Sequence, residues 1–81
     1  GLVNQVVEDD DVLTQALALA AKFAAGPTES YAAVKRLMDA ADPGLESQMA
    51  LEGRTIAAQA LHPHGQEGVA AFIGKRKPNF A

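Results

Sequence analysis

The chain has 81 residues, a mass of 8.4 kDa and a formal net charge of −3 at pH 7. This length is enough for one small domain and excludes two, and the acidic balance gives no reason to expect nucleic-acid binding. With no cysteine, disulfides, thiolate zinc sites and cysteine nucleophiles are excluded. Apolar residues make up 48% of the chain, but 17 of them are alanine. We therefore expect a helical protein whose core holds few large side chains.

The first seven residues, GLVNQVV, form a short apolar run rich in β-branched side chains. Such a run predicts an extended segment over residues 1–7, and nothing else in the chain resembles a strand that could pair with it. The run has no starting Met and no basic signal region, so we interpret it as the interior of a longer protein. No apolar stretch approaches the roughly 20 residues of a membrane span. We therefore expect a cytoplasmic protein without a membrane partner.

The first helix is predicted from Asp10 to Ala25, followed by the helix-stopping Gly26. Its apolar residues cover an arc of roughly 160°, which is wider than a lone surface helix needs. The acidic run Glu8 to Asp11 is interpreted as the N-cap of this helix, where negative charge is favourable, rather than as a metal site. The wide apolar arc indicates that the helix packs against a partner surface.

Two more helices are predicted in the middle of the chain, from Thr28 to Ala41 and from Leu45 to Leu61. Asp42-Pro43-Gly44 is expected to separate them. Glu52 falls on the apolar face of the third helix, where a carboxylate needs a partner or a route to water. We favour a structural salt bridge or a helix-terminus contact over a catalytic role, because no second acid–base group has an evident place beside it.

The last third of the chain predicts a turn at His62-Pro63-His64-Gly65 and a fourth helix from Gln66 to Lys75. The two histidines are interpreted as turn residues rather than metal ligands, because no further ligand completes a set around them. The helical region thus extends over residues 10–81. The sequence as a whole predicts one all-α domain, a small bundle of about four helices with a short extended N-terminal segment.

The sequence shows no catalytic constellation and no metal site, so no residue is assigned to either role. The one concentrated charge feature is the run Lys75-Arg76-Lys77, which lies near Phe72 and Phe80 in the sequence. Cations between aromatic rings can bind phosphates and stack a base. Cations are also favourable at a solvated helix C-terminus. Composition alone favours the solvated helix end.

Several segments together resemble one family across essentially the whole chain. These are GLVNQVV, the helix ending in AAGPT with Lys35 after it, LESQMALE with Glu52 at its end, and the closing EGVAAFIGKRKPNF. In this order they resemble the C-terminal part of the enoyl-CoA hydratase/isomerase (crotonase) family. The closing motif is the most specific of them, and it contains Phe72 and Lys75.

The resemblance implies a role within a larger enzyme. Family members carry the oxyanion hole and the catalytic carboxylates in an N-terminal core, and a C-terminal helical domain joins subunits into trimers or hexamers. This chain resembles that domain with the last strand before it, so the fragment is expected to be inactive alone. The family also implies that Phe72 and Lys75 reach the coenzyme A of a neighbouring subunit, near its adenine and 3′-phosphate. No covalently bound cofactor is expected, and coenzyme A enters as part of the acyl-CoA substrate. His62 and His64 stand where the family often has Ser and Asp.

A second hypothesis stays open at this point. The same wide apolar faces fit a stand-alone helical protein-interaction module without a catalytic role. Such a module is expected to fold cooperatively as one defined species. A fragment of a larger enzyme is expected instead to self-associate or to be a marginal monomer.

Overall fold

The computed structural model describes residues 1–40 and 44–81. Four helices follow one another in these ranges: α1 (Val12–Ala24), α2 (Thr28–Asp39), α3 (Leu45–Leu61) and α4 (Pro63–Ile73). A 3₁₀ turn over Asp9–Asp11 precedes α1, and the described residues contain no strand. The predicted all-α class with about four helices is confirmed.

Residues 1–8 form neither helix nor strand, so the strand-like run has no pairing partner in the part of the chain that the structure describes. The side chain of Leu2 is fully exposed. The prediction of a side-chain N-cap is wrong for the acidic run, because neither Glu8 nor Asp11 makes a cap hydrogen bond through its side chain. The three aspartates instead form the 3₁₀ turn, where their charges face the positive end of the helix macrodipole.

The middle helices agree closely with their predicted bounds. Helix α3 has the predicted limits, and α2 begins at Thr28 with Pro27 as its N-cap residue. Helix α2 ends at Asp39 with Ala40 as its C-cap. The predicted last residue of that helix, Ala41, and the first two residues of the predicted break, Asp42 and Pro43, lie outside the described residues.

The predicted turn over residues 62–65 is wrong, because α4 begins at Pro63. A proline suits the first helical position, where the amide that it lacks would have had no partner in the helix. His62 is the N-cap residue, and its Nδ1 accepts a hydrogen bond from the backbone amide of His64 at 3.1 Å. Helix α4 also ends earlier than predicted, at Ile73 instead of Lys75.

Helices α2, α3 and α4 pack on one another, whereas α1 has no comparable packing against them in the described chain. The end of α1 is joined to α2 by an edge-to-face contact between the rings of Phe23 and Tyr31, whose centroids are 5.7 Å apart. The radius of gyration is 16.2 Å, whereas a compact chain of this length has about 12 Å. The helices therefore form an open assembly.

The apolar core of the described chain is very small. Ala33 and Ala71 are its buried apolar residues, with 3% and 1% of their surface exposed. Large apolar side chains remain exposed on every helix, among them Leu13, Leu17, Val34, Met38, Met49, Ile56, Val69, Phe72 and Ile73. Because hydrophobic stabilisation scales with the apolar area removed from water, these helices stabilise one another only weakly.

Helices α3 and α4 come close together at a glycine. A Cβ atom at Gly65 would overlap the backbone carbonyl of Gln59 in the last turns of α3. The side-chain amide oxygen of Gln59 also accepts a hydrogen bond from the Ser30 hydroxyl of α2 at 3.1 Å. Gln59 therefore links the three packed helices, and only glycine allows α4 to approach it this closely.

Candidate functional site

Two places in the described structure gather side chains that could act on a ligand. The first is an open groove of about 340 Å³ between α2 and α3, with largely apolar walls. Val34, Leu37 and Ile56 are among the residues that line it, and so is Glu52. The Glu52 carboxylate accepts a hydrogen bond from the side-chain amide of Gln48 at 2.8 Å. Among the described residues, the contact of Glu52 is thus a hydrogen bond within α3, and the expected salt bridge or helix-terminus contact is not found.

The histidines lie at the start of α4, not in a turn. The ring of His64 stands edge-on to the rings of His62 and Phe80, with centroids 4.8 and 5.6 Å away. Its Nδ1 is buried and has no hydrogen-bond partner among the described residues. No cluster of three or more metal-ligating side chains is found in the described ranges. His62 and His64 therefore shape the start of the helix and the packing of the C-terminal tail.

The second place is the C-terminal end of α4, which ends in a Schellman motif. The amide of Lys75 donates to the carbonyl of Phe72 at 3.2 Å, and the amide of Arg76 donates to the carbonyl of Ala71 at 3.0 Å. Lys75 has a φ of 49° and occupies the left-handed position of this motif, where glycine is usual. A side chain with a Cβ costs about 1–2 kcal/mol there. Conformations of this cost cluster at functional sites.

The tail after α4 is held by one carboxylate. Glu67 accepts from both terminal nitrogens of the Arg76 guanidinium, at 2.6 and 2.8 Å. It also accepts from the backbone amide of Asn79 at 2.7 Å. We call these three residues the Glu67 clamp. Two parallel bonds from one guanidinium fix both groups in direction as well as in distance.

The clamp shifts the pKa values of both of its charged groups, Glu67 and Arg76. The Arg76 hydrogen bonds, with the amide of Asn79, lower the pKa of Glu67 from 4.5 to about 2. The same pairing raises the pKa of Arg76. Because the carboxyl pKa is lowered in the folded chain, the contribution of the clamp to stability is fully present above about pH 4.5. It is lost as the pH falls towards 2. At neutral pH the clamp is therefore intact.

The two predicted site residues, Phe72 and Lys75, lie together at this helix end. Their backbones are joined directly by the Schellman hydrogen bond, and both side chains are exposed, Phe72 to 85%. Phe80 does not join them, because its half-buried ring packs against His64. The guanidinium of Arg76 is engaged by Glu67. Phe72 is thus the exposed aromatic side chain at the end of α4, with the exposed cations Lys75 and, two residues further on, Lys77.

Comparison with known proteins decides the family. The family model described as enoyl-CoA hydratase/isomerase matches residues 1–81, which is the whole chain. The chain belongs to this family. Handling of acyl-CoA thioesters is therefore the chemistry of its family, and the resemblance carried by the closing motif is confirmed at that level.

Three curated relatives of this enoyl-CoA hydratase/isomerase family match almost the full chain. A probable enoyl-CoA hydratase of Rhodobacter capsulatus is 39% identical over 82 residues. A 2,3-dehydroadipyl-CoA hydratase and a 1,2-epoxyphenylacetyl-CoA isomerase, both of Escherichia coli K12, are 35% and 32% identical. Each match covers 99% of this chain but only 31–32% of the relative. The chain thus spans about a third of the length of these relatives.

No solved structure matches the chain significantly. Among the described residues, none of the helices combines the length and the apolar character that a membrane span requires.

Sequence reasoning missed the Glu67 clamp and the left-handed backbone of Lys75. Glu67 and Arg76 are nine residues apart and lie on either side of a helix end, so the helical spacing rules for side-chain pairs do not reach them. The sequence carries no signal for the backbone conformation, because it offers Gly74 for the left-handed position of a helix ending. In the structure Gly74 is instead the C-cap with a φ of −75°, and Lys75 takes the left-handed position.

Proposed function

We propose that this chain is the C-terminal helical part of an enoyl-CoA hydratase or isomerase. In that enzyme it joins subunits into a trimer or hexamer and supplies Phe72 and Lys75 to the coenzyme A moiety of an acyl-CoA substrate. The matched third of the relatives' length supports the proposal that the rest of the enzyme, including its catalytic groups, lies outside these 81 residues.

The coenzyme role is carried by one observation, the joint exposure of Phe72 and Lys75 at the end of α4. Coenzyme A carries several phosphate charges and one adenine ring. An ammonium group pairs with phosphate, and an exposed aromatic face can stack a base. Because the Schellman bonds fix both backbones, little ordering is needed when the ligand arrives.

The oligomer role is supported by the exposed apolar faces. A described core of Ala33 and Ala71 is too small for a chain that works alone, and monomeric soluble proteins rarely leave large apolar patches in water. The small core, not the exposed faces, counts against the alternative of a stand-alone interaction module, because such a module is expected to fold cooperatively by itself. The isolated chain is then expected to show no hydratase or isomerase turnover.

The test of the coenzyme role uses the full-length protein with Lys75→Ala. We expect the KM for CoA thioesters to rise by up to about tenfold, because one exposed charge-assisted contact is lost, while kcat stays unchanged. Lys35→Ala removes the same charge from α2 and serves as the control, with no expected change. An unchanged KM for Lys75→Ala at both low and high salt would refute the proposed contact.

A further inference from the structure

The carboxylate of Glu67 bonds to Arg76 and Asn79, two residues that follow Lys75 in the chain after the end of α4. We infer that Glu67 is a positioning residue, which fixes the backbone of Lys75 so that its ammonium group meets the 3′-phosphate of coenzyme A. This inference rests on the proposed function, and it adds a residue that never touches the ligand.

The geometry places Lys75 between two anchors. On its helical side, the amides of Lys75 and Arg76 are bonded to the carbonyls of the last turn of α4. On its other side, Glu67 holds the Arg76 guanidinium and the Asn79 amide. None of the three bonds to Glu67 involves Lys75 itself, so Glu67 acts on the position of Lys75 through the backbone of the residues that follow it.

The conformation of Lys75 requires such support. A φ of 49° is unfavourable for any residue with a Cβ atom, and it persists only where the surroundings enforce it. If the clamp opens, the chain from Lys75 onward can return to an ordinary backbone conformation. That change rotates the Cα–Cβ bond of Lys75 and so changes the direction in which its side chain leaves the backbone.

A purely structural role predicts a different pattern. Arg76 is about half exposed, and ion pairs of that kind contribute little to overall stability. Loss of the clamp for structural reasons alone would affect every ligand equally or none. Loss of a positioned ammonium group affects only ligands that carry the phosphate that it meets.

The experiment compares coenzyme A with 3′-dephospho-coenzyme A in the full-length protein. For Glu67→Gln we expect the dissociation constant of coenzyme A to rise about three- to tenfold, with no change for the dephospho form and none in kcat. Glu29→Gln, which neutralises an exposed carboxylate on α2, is the control and leaves both constants unchanged. If Glu67→Gln does not fold, Arg76→Gln opens the clamp from its other side and carries the same expectation.

A double substitution separates this inference from the proposed function. Once Lys75→Ala has removed the ammonium group, adding Glu67→Gln should weaken coenzyme A binding by less than twofold more. If Lys75→Ala weakens coenzyme A binding and Glu67→Gln does not, the inference fails and the proposed function stands. If Glu67→Gln weakens both ligands equally, the role is structural and the inference is overturned. If neither variant changes binding, the proposed coenzyme contact itself is refuted.

Discussion

Helix α1 and the C-terminal end of α4 differ in how much contact each makes with the rest of the described chain. Helix α1 leaves Leu13 and Leu17 exposed to 70% and 61%, and its one ring contact with α2 lies at its last turn. The end of α4 instead has a buried alanine, Ala71, two Schellman bonds and the three bonds of the Glu67 clamp. The end of α4 is fixed by bonds within the described chain, whereas α1 has few such contacts.

The difference follows from the distance over which each kind of interaction acts along the chain. The bonds of the clamp join residues nine and twelve positions apart, so a short chain can form them by itself. An apolar helix face needs a second apolar surface of similar size, and 81 alanine-rich residues provide little of it. This difference supports the proposals that α1 contacts other protein and that the end of α4 binds a ligand.

The largest effect is expected from Leu17→Glu in the full-length protein. If the α1 face is covered by other protein, a buried and unpaired carboxylate there should weaken the assembly by at least about 3 kcal/mol, or roughly a hundredfold. Sedimentation velocity measures the loss of the oligomer. Gln15→Glu introduces the same charge on the polar side of α1 and should leave the assembly intact. Equal behaviour of the two variants would show that the α1 face is not an interface.

A smaller effect is expected where α4 approaches α3. Gly65→Ala should destabilise the fold by about 2 kcal/mol or more, because its Cβ would overlap the carbonyl of Gln59. Gly68→Ala in the same helix has open space for its Cβ and should stabilise the fold by about 0.5–1 kcal/mol. Thermal unfolding of both variants provides the comparison. A stabilising Gly65→Ala would mean that α3 and α4 do not meet at this glycine.

The smallest effect concerns the strained lysine. Lys75→Gly should stabilise the fold by about 1 kcal/mol relative to Lys75→Ala, because only glycine adopts the left-handed position without a Cβ penalty. Both variants lack the ammonium group, so both should weaken coenzyme A binding. Denaturant unfolding measures the stability difference. If alanine were as stable as glycine at this position, Lys75 would not be in the left-handed conformation.

The sequence predicted the helices well where their boundaries are local. Helix α3 has the predicted limits because its first and last residues, Leu45 and Leu61, end a continuous helical pattern between Gly44 and the His62-Pro63 step. The start of α4 was misplaced because Pro63 suits both a turn and a first helical position, and the pattern does not distinguish them. The choice depends on the His62 ring, which caps the helix through the amide of His64.

The site was predictable only in part. Phe72 and Lys75 were identified by resemblance, and their joint exposure at one helix end is a property of the structure. The pairing of Phe80 with His64 was not predicted, because it depends on how the tail folds back along α4. The apolar arc of α1 indicated that a partner surface exists. It did not indicate that α2, α3 and α4 leave that arc open, because such packing depends on the spatial arrangement of all four helices.

We propose that the apolar face of α1 is covered by protein outside these 81 residues. Amide hydrogen exchange of α1, measured in the full-length protein and in the isolated chain, distinguishes a covered face from an open one. We expect strong protection of residues 13–24 in the full-length protein and loss of most of that protection in the isolated chain. Equal protection of α1 in both samples would show that no other protein covers this face.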